Sequence, residues 1–228
     1  SPQGGEHTGG MSQQPGKGVG RALVVGATGQ TGSAMVQQLL EEGGRCSGVV
    51  AYGNSRRPQY DGPNKQLLEP RQAKMEELAS SRSAELAGFD TLFIHVGTQK
   101  RKVGLEAQQQ LEYDHTLAVA AAARAGGCRA CRIVSSQGAS AASAVPYLKT
   151  KGRIEEALKG LGFERLCIYQ PGALHGGDRT TGFFFEKVLP CVTTVLMFSH
   201  IEVSRVAAAM RRVALQPATA AVEVYPNA

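Results

Sequence analysis

The sequence predicts an α/β fold, a doubly wound parallel sheet in a single domain, and three observations predict it. Short apolar runs alternate with segments of helical periodicity along most of the 228 residues. The runs are continuous rather than polar at every second position, as in strands covered on both faces. Polar and glycine-rich clusters fall at the predicted carboxyl ends of those strands, where such sheets bind ligands.

Each element has its own signal. Residues 1–20, rich in Gly, Ser, Gln and Pro, lack an apolar period and read as a flexible tail, with Met11 a candidate native start, ahead of one domain over 21–228. Ala22-Leu23-Val24-Val25 reads as a buried strand, and Gln30 to Glu42 as a helix, because Met35, Val36, Leu39 and Leu40 recur at helical spacing before Gly43-Gly44. A strand near Cys46 to Ala51 leads into a long Pro- and Gly-rich loop, a weak strand around Gln72 to Met75 and a helix near Glu76 to Leu86. Thr91 to Val96 is a strand ending at Gly97-Thr98, and Ala107 to Ala125 an alanine-rich helix stopped by Gly126-Gly127. The strand Arg132 to Val134 ends at Ser135-Ser136. A helix from Tyr147 to Leu158, a strand from Arg165 to Tyr169 broken by Pro171-Gly172, a helix near Val203 to Leu215 and a strand Val222 to Tyr225 complete the pattern.

Composition narrows the function classes. With 42% hydrophobic and 19% charged residues, and no apolar run approaching the ~20 residues that span a bilayer, the chain reads as a globular protein with no membrane partner. The net charge is +6, but the basic residues are scattered and carry no interleaved aromatics, so no nucleic-acid partner is expected. Five cysteines without a secretory leader fit a reducing compartment, and the expected location is the cytoplasm. Cys128-x-x-Cys131 stands alone and reads as core thiols; His95, His115, His175 and His200 lack ligand spacing, so no metal is expected. Phe183-Phe184-Phe185 fits core packing, the roof of an apolar substrate pocket or a dimer face.

Two clusters carry chemistry. In Gly26-Ala27-Thr28-Gly29-Gln30-Thr31-Gly32 the glycines allow a tight turn, close approach to a pyrophosphate and close packing of helix on strand, and the helix N-terminus offers an anion site. The strand-before, helix-after context makes this a dinucleotide fingerprint rather than a chance spacing. A ribose-binding carboxylate belongs about 20 residues further on in NAD sites. Between Glu42 and Asp61 there is none, whereas Arg56 and Arg57 follow the second strand where a 2′-phosphate would lie, so NADP(H) is the expected cofactor. The second cluster is Ser136, Tyr147 and Lys151. Tyr147 and Lys151 are four apart, on one face of a helix. A phenol with a pKa near 10 needs a neighbouring ammonium to work in proton transfer near neutrality. Ser136, at a strand end, can hydrogen-bond a substrate carbonyl.

These motifs resemble the short-chain dehydrogenase/reductase superfamily, which has the Rossmann fold, and within it the atypical group of the HIV Tat-interactive protein oxidoreductase. The resemblance runs from about Arg21 to the C-terminus. It rests on Val25 to Gly32, Gly97-Thr98, Ala125 to Cys128, Ser135 to Ala139, Tyr147 to Gly152 and Pro171-Gly172. It implies that Gly97 and Thr98 line the cofactor, that Pro171 and Gly172 face the nicotinamide, and that Lys151 also donates to the nicotinamide ribose. Two departures stand out. Gln170 replaces the Arg that relatives carry before Pro-Gly, and the helix Asn that completes a proton relay in better-known members has no match near Glu112 to Asp114. Adenine contacts are expected near Met75 or Glu76. The expected function is an NADP(H)-dependent oxidoreductase acting on a small carbonyl or alcohol, with a non-enzymatic NADP(H)-binding regulator or redox sensor as the alternative; a protein partner or homodimer is compatible with either.

Overall fold

The computed structural model describes residues 18–41, 45–96, 105–175 and 200–226. Seven parallel strands form one sheet in the order β3-β2-β1-β4-β5-β6-β9. These are β1 (Gly20–Val25), β2 (Cys46–Gly53), β3 (Leu68–Gln72), β4 (Thr91–Ile94), β5 (Ala130–Val134), β6 (Arg165–Gln170) and β9 (Val222–Pro226). The helices are α1 (Gln30–Leu40), a single turn α2 (Met75–Leu78), α3 (Leu105–Ala125), α4 (Pro146–Lys159) and α5 (Val203–Ala214). A short pair, β7 (Ala173–His175) with β8 (His200–Glu202), lies apart from the main sheet.

The central strands are largely apolar because their side chains alternate between two buried layers, whereas the edge strands β3 and β9 carry Glu69, Arg71 and Glu223. Leu23, Val25, Val50, Leu92, Ile94, Ile133 and Ile168 pack with α3 and α4. Ala22, Val24, Ala51, Phe93, Cys167 and Tyr169 pack on the other face with α1 and α5. On α1 the residues that recur at helical spacing, Met35, Val36, Leu39 and Leu40, are buried, and on α5 the buried residues include Val203, Val206, Ala207, Met210 and Val213. Each of the buried Met, Val and Leu side chains contributes roughly 1.5–3 kcal/mol of burial free energy, and Ala207, a single methyl, contributes less. Cys128 and Cys131 are buried in the α3/α4 layer, and burial pushes the Cys128 thiol up to about 11.

Three expectations need correction. The domain begins before residue 21, since Gly20 opens β1 and Val19 is buried. The third strand is Leu68–Gln72 rather than 72–75. Pro70 hides it in the sequence, yet β3 is an edge strand, where a missing ladder donor is tolerated. The expected helix over 76–86 divides into α2 and a 3-10 turn, Ser83–Leu86. Among the described residues no helix is long and apolar enough to cross a membrane.

Candidate functional site

The strand order reverses between β1 and β4, and the glycine turn sits at that switch point. Gly26 has φ +81, and a Cβ there would lie 2.4 Å from the His95 carbonyl oxygen beyond β4. A Cβ on Gly32 would lie 2.2 Å from the Gly26 carbonyl oxygen, so the first turn of α1 rests directly on the loop. Gly29 is different. A Cβ there meets nothing closer than the Gly26 carbonyl oxygen at 3.3 Å, so the protein itself leaves that side open. Gly29 is also the N-cap of α1, which has no side-chain cap and no acidic residue in its first turn. An N-terminus of this kind, with its N–H groups uncapped by side chains, fits a dinucleotide pyrophosphate. Thr28, Gln30 and Thr31 are half-exposed around it.

The end of β2 lies beside the glycine turn. A Cβ on Gly53 would meet the Arg56 carbonyl oxygen at 2.0 Å and the Thr28 methyl at 2.5 Å. The chain carrying Arg56 and Arg57 therefore folds back beside the glycine turn, and both side chains are exposed. Behind this corner is a network absent from the sequence reading. Tyr52 donates its hydroxyl to Glu85 at 2.7 Å, Arg71 donates to Tyr52 at 2.8 Å, and Arg82 grips Glu85 at 2.6 and 2.9 Å. Arg82, then Tyr52, hold the Glu85 carboxyl down to about 2. The network ties β2 and β3 to the Ser83–Leu86 turn. Met75 and Glu76, the expected adenine contacts, open α2 and are half-exposed.

On the other side of the switch point, β5 leads into Ser135-Ser136 and on to α4. The two serines divide the work. Ser135 is buried and donates its hydroxyl to Glu155, whereas Ser136 is half-exposed and among the described residues makes only a long contact to the Gln137 carbonyl at 3.4 Å. That leaves Ser136 the available hydroxyl. Tyr147 and Lys151 lie on α4, with the Lys151 Nζ 5.8 Å from the centre of the Tyr147 ring. A Cβ on Gly152 would sit 2.2 Å from the Ser140 carbonyl carbon, so the loop after Ser136 is pressed onto the helix beside Lys151. Pro171 accepts a hydrogen bond from the Gln137 backbone at 2.8 Å, which joins the Ser136 and Pro171-Gly172 loops.

Lys151 has partners within the protein. Its ammonium is not free but buried, with 4% side-chain exposure, and it donates to Glu112 Oε1 at 2.8 Å and to the Val96 carbonyl at 3.2 Å. Burial lowers its pKa, but Glu112 and the neighbouring Tyr147 more than offset this, so the ammonium is held charged. Glu112 was overlooked, although a periodic reading could have found it. It falls on the same stripe of α3 as Gln109, Thr116, Val119 and Ala123, all buried. Gln170 too has a partner: its amide donates to both Glu155 oxygens, at 3.0 and 3.1 Å. Gly97, Thr98 and the Phe183-Phe184-Phe185 run lie outside the described residues, as does the side chain of His175.

Residues 26–217 match a family described as NAD(P)H-binding. The chain belongs to that family. It is 39% identical over 165 residues to the mitochondrial protein FMP52 of Eremothecium gossypii, covering 70% of this chain and 68% of that protein. It is 30% identical over 156 residues to the HTATIP2 protein of Rattus norvegicus, covering 67% of this chain and 62% of that protein. Among solved structures, the Bordetella bronchiseptica enzyme WbmH in complex with NAD+ matches with a TM-score of 0.62 at 16% identity, over 85% of this chain and 72% of that one. The protein is thus an NAD(P)-binding, atypical short-chain dehydrogenase/reductase-like protein with the Rossmann fold expected from its sequence. One expectation fails. FMP52 relatives from Eremothecium gossypii, Candida glabrata, Candida albicans and Kluyveromyces lactis are all named mitochondrial, which overturns the cytoplasmic reading. The physical reason is plain: free buried thiols report a reducing interior, and cysteine usage does not separate one such compartment from another.

Proposed function

We propose that this NAD(P)H-binding protein is an NADP(H)-dependent oxidoreductase that interconverts a small carbonyl compound and its alcohol, and that it works in mitochondria, as its fungal relatives are named. The observation that carries the reading is the pairing of Tyr147 with charged, buried Lys151 on α4, in a fold whose α1 N-terminus is left uncapped by side chains at the switch point. The bound dinucleotide would supply hydride chemistry there. Ser136 would hold the carbonyl oxygen, Tyr147 would carry the proton, and Lys151, with two of its three hydrogens already given to Glu112 and Val96, would keep one for a ribose hydroxyl. Arg56 and Arg57 would meet the 2′-phosphate, the nearby chain offering no carboxylate to repel it.

A second reading, a cofactor-binding regulator or sensor without turnover, is favoured by one observation: Lys151 is already committed to an ion pair. Two measurements separate them. NADPH should bind more tightly than NADH, and replacing Arg56 and Arg57 together by alanine should weaken NADPH alone by roughly 1–3 kcal/mol. Equal affinities in the parent would refute the 2′-phosphate assignment. Against a panel of aldehydes, ketones and quinones, Tyr147→Phe should retain NADPH affinity and lose about 100-fold or more in turnover. Unchanged turnover by that variant would remove Tyr147 from the chemistry, and binding with no turnover by the parent would establish the regulator.

A further inference from the structure

A lysine beside a catalytic tyrosine acts through its charge, so what surrounds that charge decides what the tyrosine does. Among the described residues the groups facing Lys151 are Glu112 from α3, Tyr147 and Glu155 from α4 itself, and the Val96 carbonyl after β4. Glu112 dominates by geometry: its carboxylate oxygen lies 2.8 Å from Nζ, and the two side chains are only 7% and 4% exposed. The Tyr147 ring lies farther from the ammonium, 5.8 Å to its centre. From that distance a closely opposed pair acts as a dipole, whose field falls off faster than that of a lone cation, and burial leaves little water to rescreen either charge.

An unopposed ammonium draws a nearby phenol toward phenolate, the form that accepts a proton from an alcohol. Resting on the oxidoreductase reading above, we infer that Glu112 is a positioning residue that cancels the field of Lys151 at the Tyr147 hydroxyl, biasing the site toward proton donation and so toward reducing carbonyls. In that step the carbonyl carbon receives hydride, with its two electrons, from the reduced nicotinamide, and the carbonyl oxygen receives the Tyr147 proton. The C=O π bond gives way to one C–H and one O–H bond. The nicotinamide is left oxidised, and the phenolate is reprotonated from solvent. Glu112 also clamps Nζ between α3 and Val96, which fixes the direction of its remaining hydrogen.

The test is an alkaline titration of the whole protein without cofactor or substrate, following the 13Cζ resonance of Tyr147 in tyrosine-labelled protein, assigned by its loss in Tyr147→Phe. Glu112→Gln should lower the titration midpoint by about one pH unit, a ten-fold gain in phenolate at a given pH. Glu112→Asp, which keeps the charge, should restore the parent midpoint. Because Glu112→Gln leaves a buried cation uncompensated and risks unfolding, the double variant Glu112→Gln with Lys151→Met provides the second arm. With both charges gone its midpoint should match the parent, whereas Lys151→Met alone should raise it. An unmoved midpoint in Glu112→Gln overturns the inference, as does a double variant that rises as far as Lys151→Met alone. With NADPH and 9,10-phenanthrenequinone as the probe carbonyl, Glu112→Gln should also shift the alkaline limb of reduction to lower pH. Absence of turnover in the parent would count against the oxidoreductase reading, while the titration still decides the role of Glu112.

Discussion

Replacing His95 by leucine should remove most of the acid sensitivity of this fold between about pH 7 and pH 5. His95 follows β4, is 6% exposed, and among the described residues neither ring nitrogen has a hydrogen-bond partner. Burial alone lowers its pKa from 6.5 to about 3. A folded pKa below the unfolded one means that the unfolded chain takes up the proton first. The neutral ring therefore costs nothing in linkage above 6.5, and stability is lost progressively as pH falls toward 3. Taking those two values, the loss between pH 7 and pH 5 is about 2 kcal/mol, or roughly 4–8 °C in Tm for a chain of this size. Glu85 and Glu223 add their own losses only at lower pH, since each falls from 4.5 to about 2. Urea unfolding of parent and His95→Leu at both pH values measures the difference. The leucine variant should lose less than about 0.5 kcal/mol over the same interval. If parent and variant fall by equal amounts, His95 is not the group responsible. The site should feel the same change, because the His95 backbone donates to Val25 at 2.9 Å and its carbonyl bounds the Gly26 turn. NADPH affinity should weaken in step with stability.

Two further outcomes follow from the glycines. Gly29→Val should fold, since its Cβ meets only one protein atom inside 3.4 Å, yet abolish dinucleotide binding by calorimetry; a folded variant that binds normally would place the pyrophosphate elsewhere. Gly152→Ala drives a Cβ to 2.2 Å from Ser140 and 2.3 Å from Ala141 backbone atoms, and should cost about 1–3 kcal/mol in urea unfolding while displacing the Ser136 loop. An undiminished stability and turnover would show that the loop gives way freely.

Much of this was legible in the sequence, and the reasons differ by residue. Glycines announce a turn because the need is local: Gly26 and Gly32 are forced by backbone atoms of the same loop or the next strand. The long helices and central strands were legible through their periodicity, as Met35 to Leu40 show. β3 was misplaced because Pro70 masks an edge strand, whose pairing is a tertiary fact. Glu112 and Lys151 are 39 residues apart in sequence, and Tyr52 and Glu85 are 33 apart. Such pairs depend on how α3 lies against α4, or β2 against the Ser83–Leu86 turn, which spacing along one element does not convey.

Gln170 illustrates how a departure from a family pattern can be absorbed. The family resemblance implies an arginine at this position. Here a neutral amide spans both carboxylate oxygens while Ser135 adds its hydroxyl, so Glu155 is hydrogen-bonded with no cation in direct contact among the described residues. The mechanical link survives: Ser135 donates its backbone N–H to Tyr169, Gln137 donates to Pro171, and the ends of β5 and β6 are held to α4. The Glu155 charge is felt by Lys151, though less than that of Glu112. Both departures from the better-known pattern, Gln170 for an arginine and Glu112 in the region where an asparagine belongs, add negative character around one ammonium. The same pair of changes that weakens the case for an alcohol-oxidising base therefore strengthens the case for a site that gives its proton away.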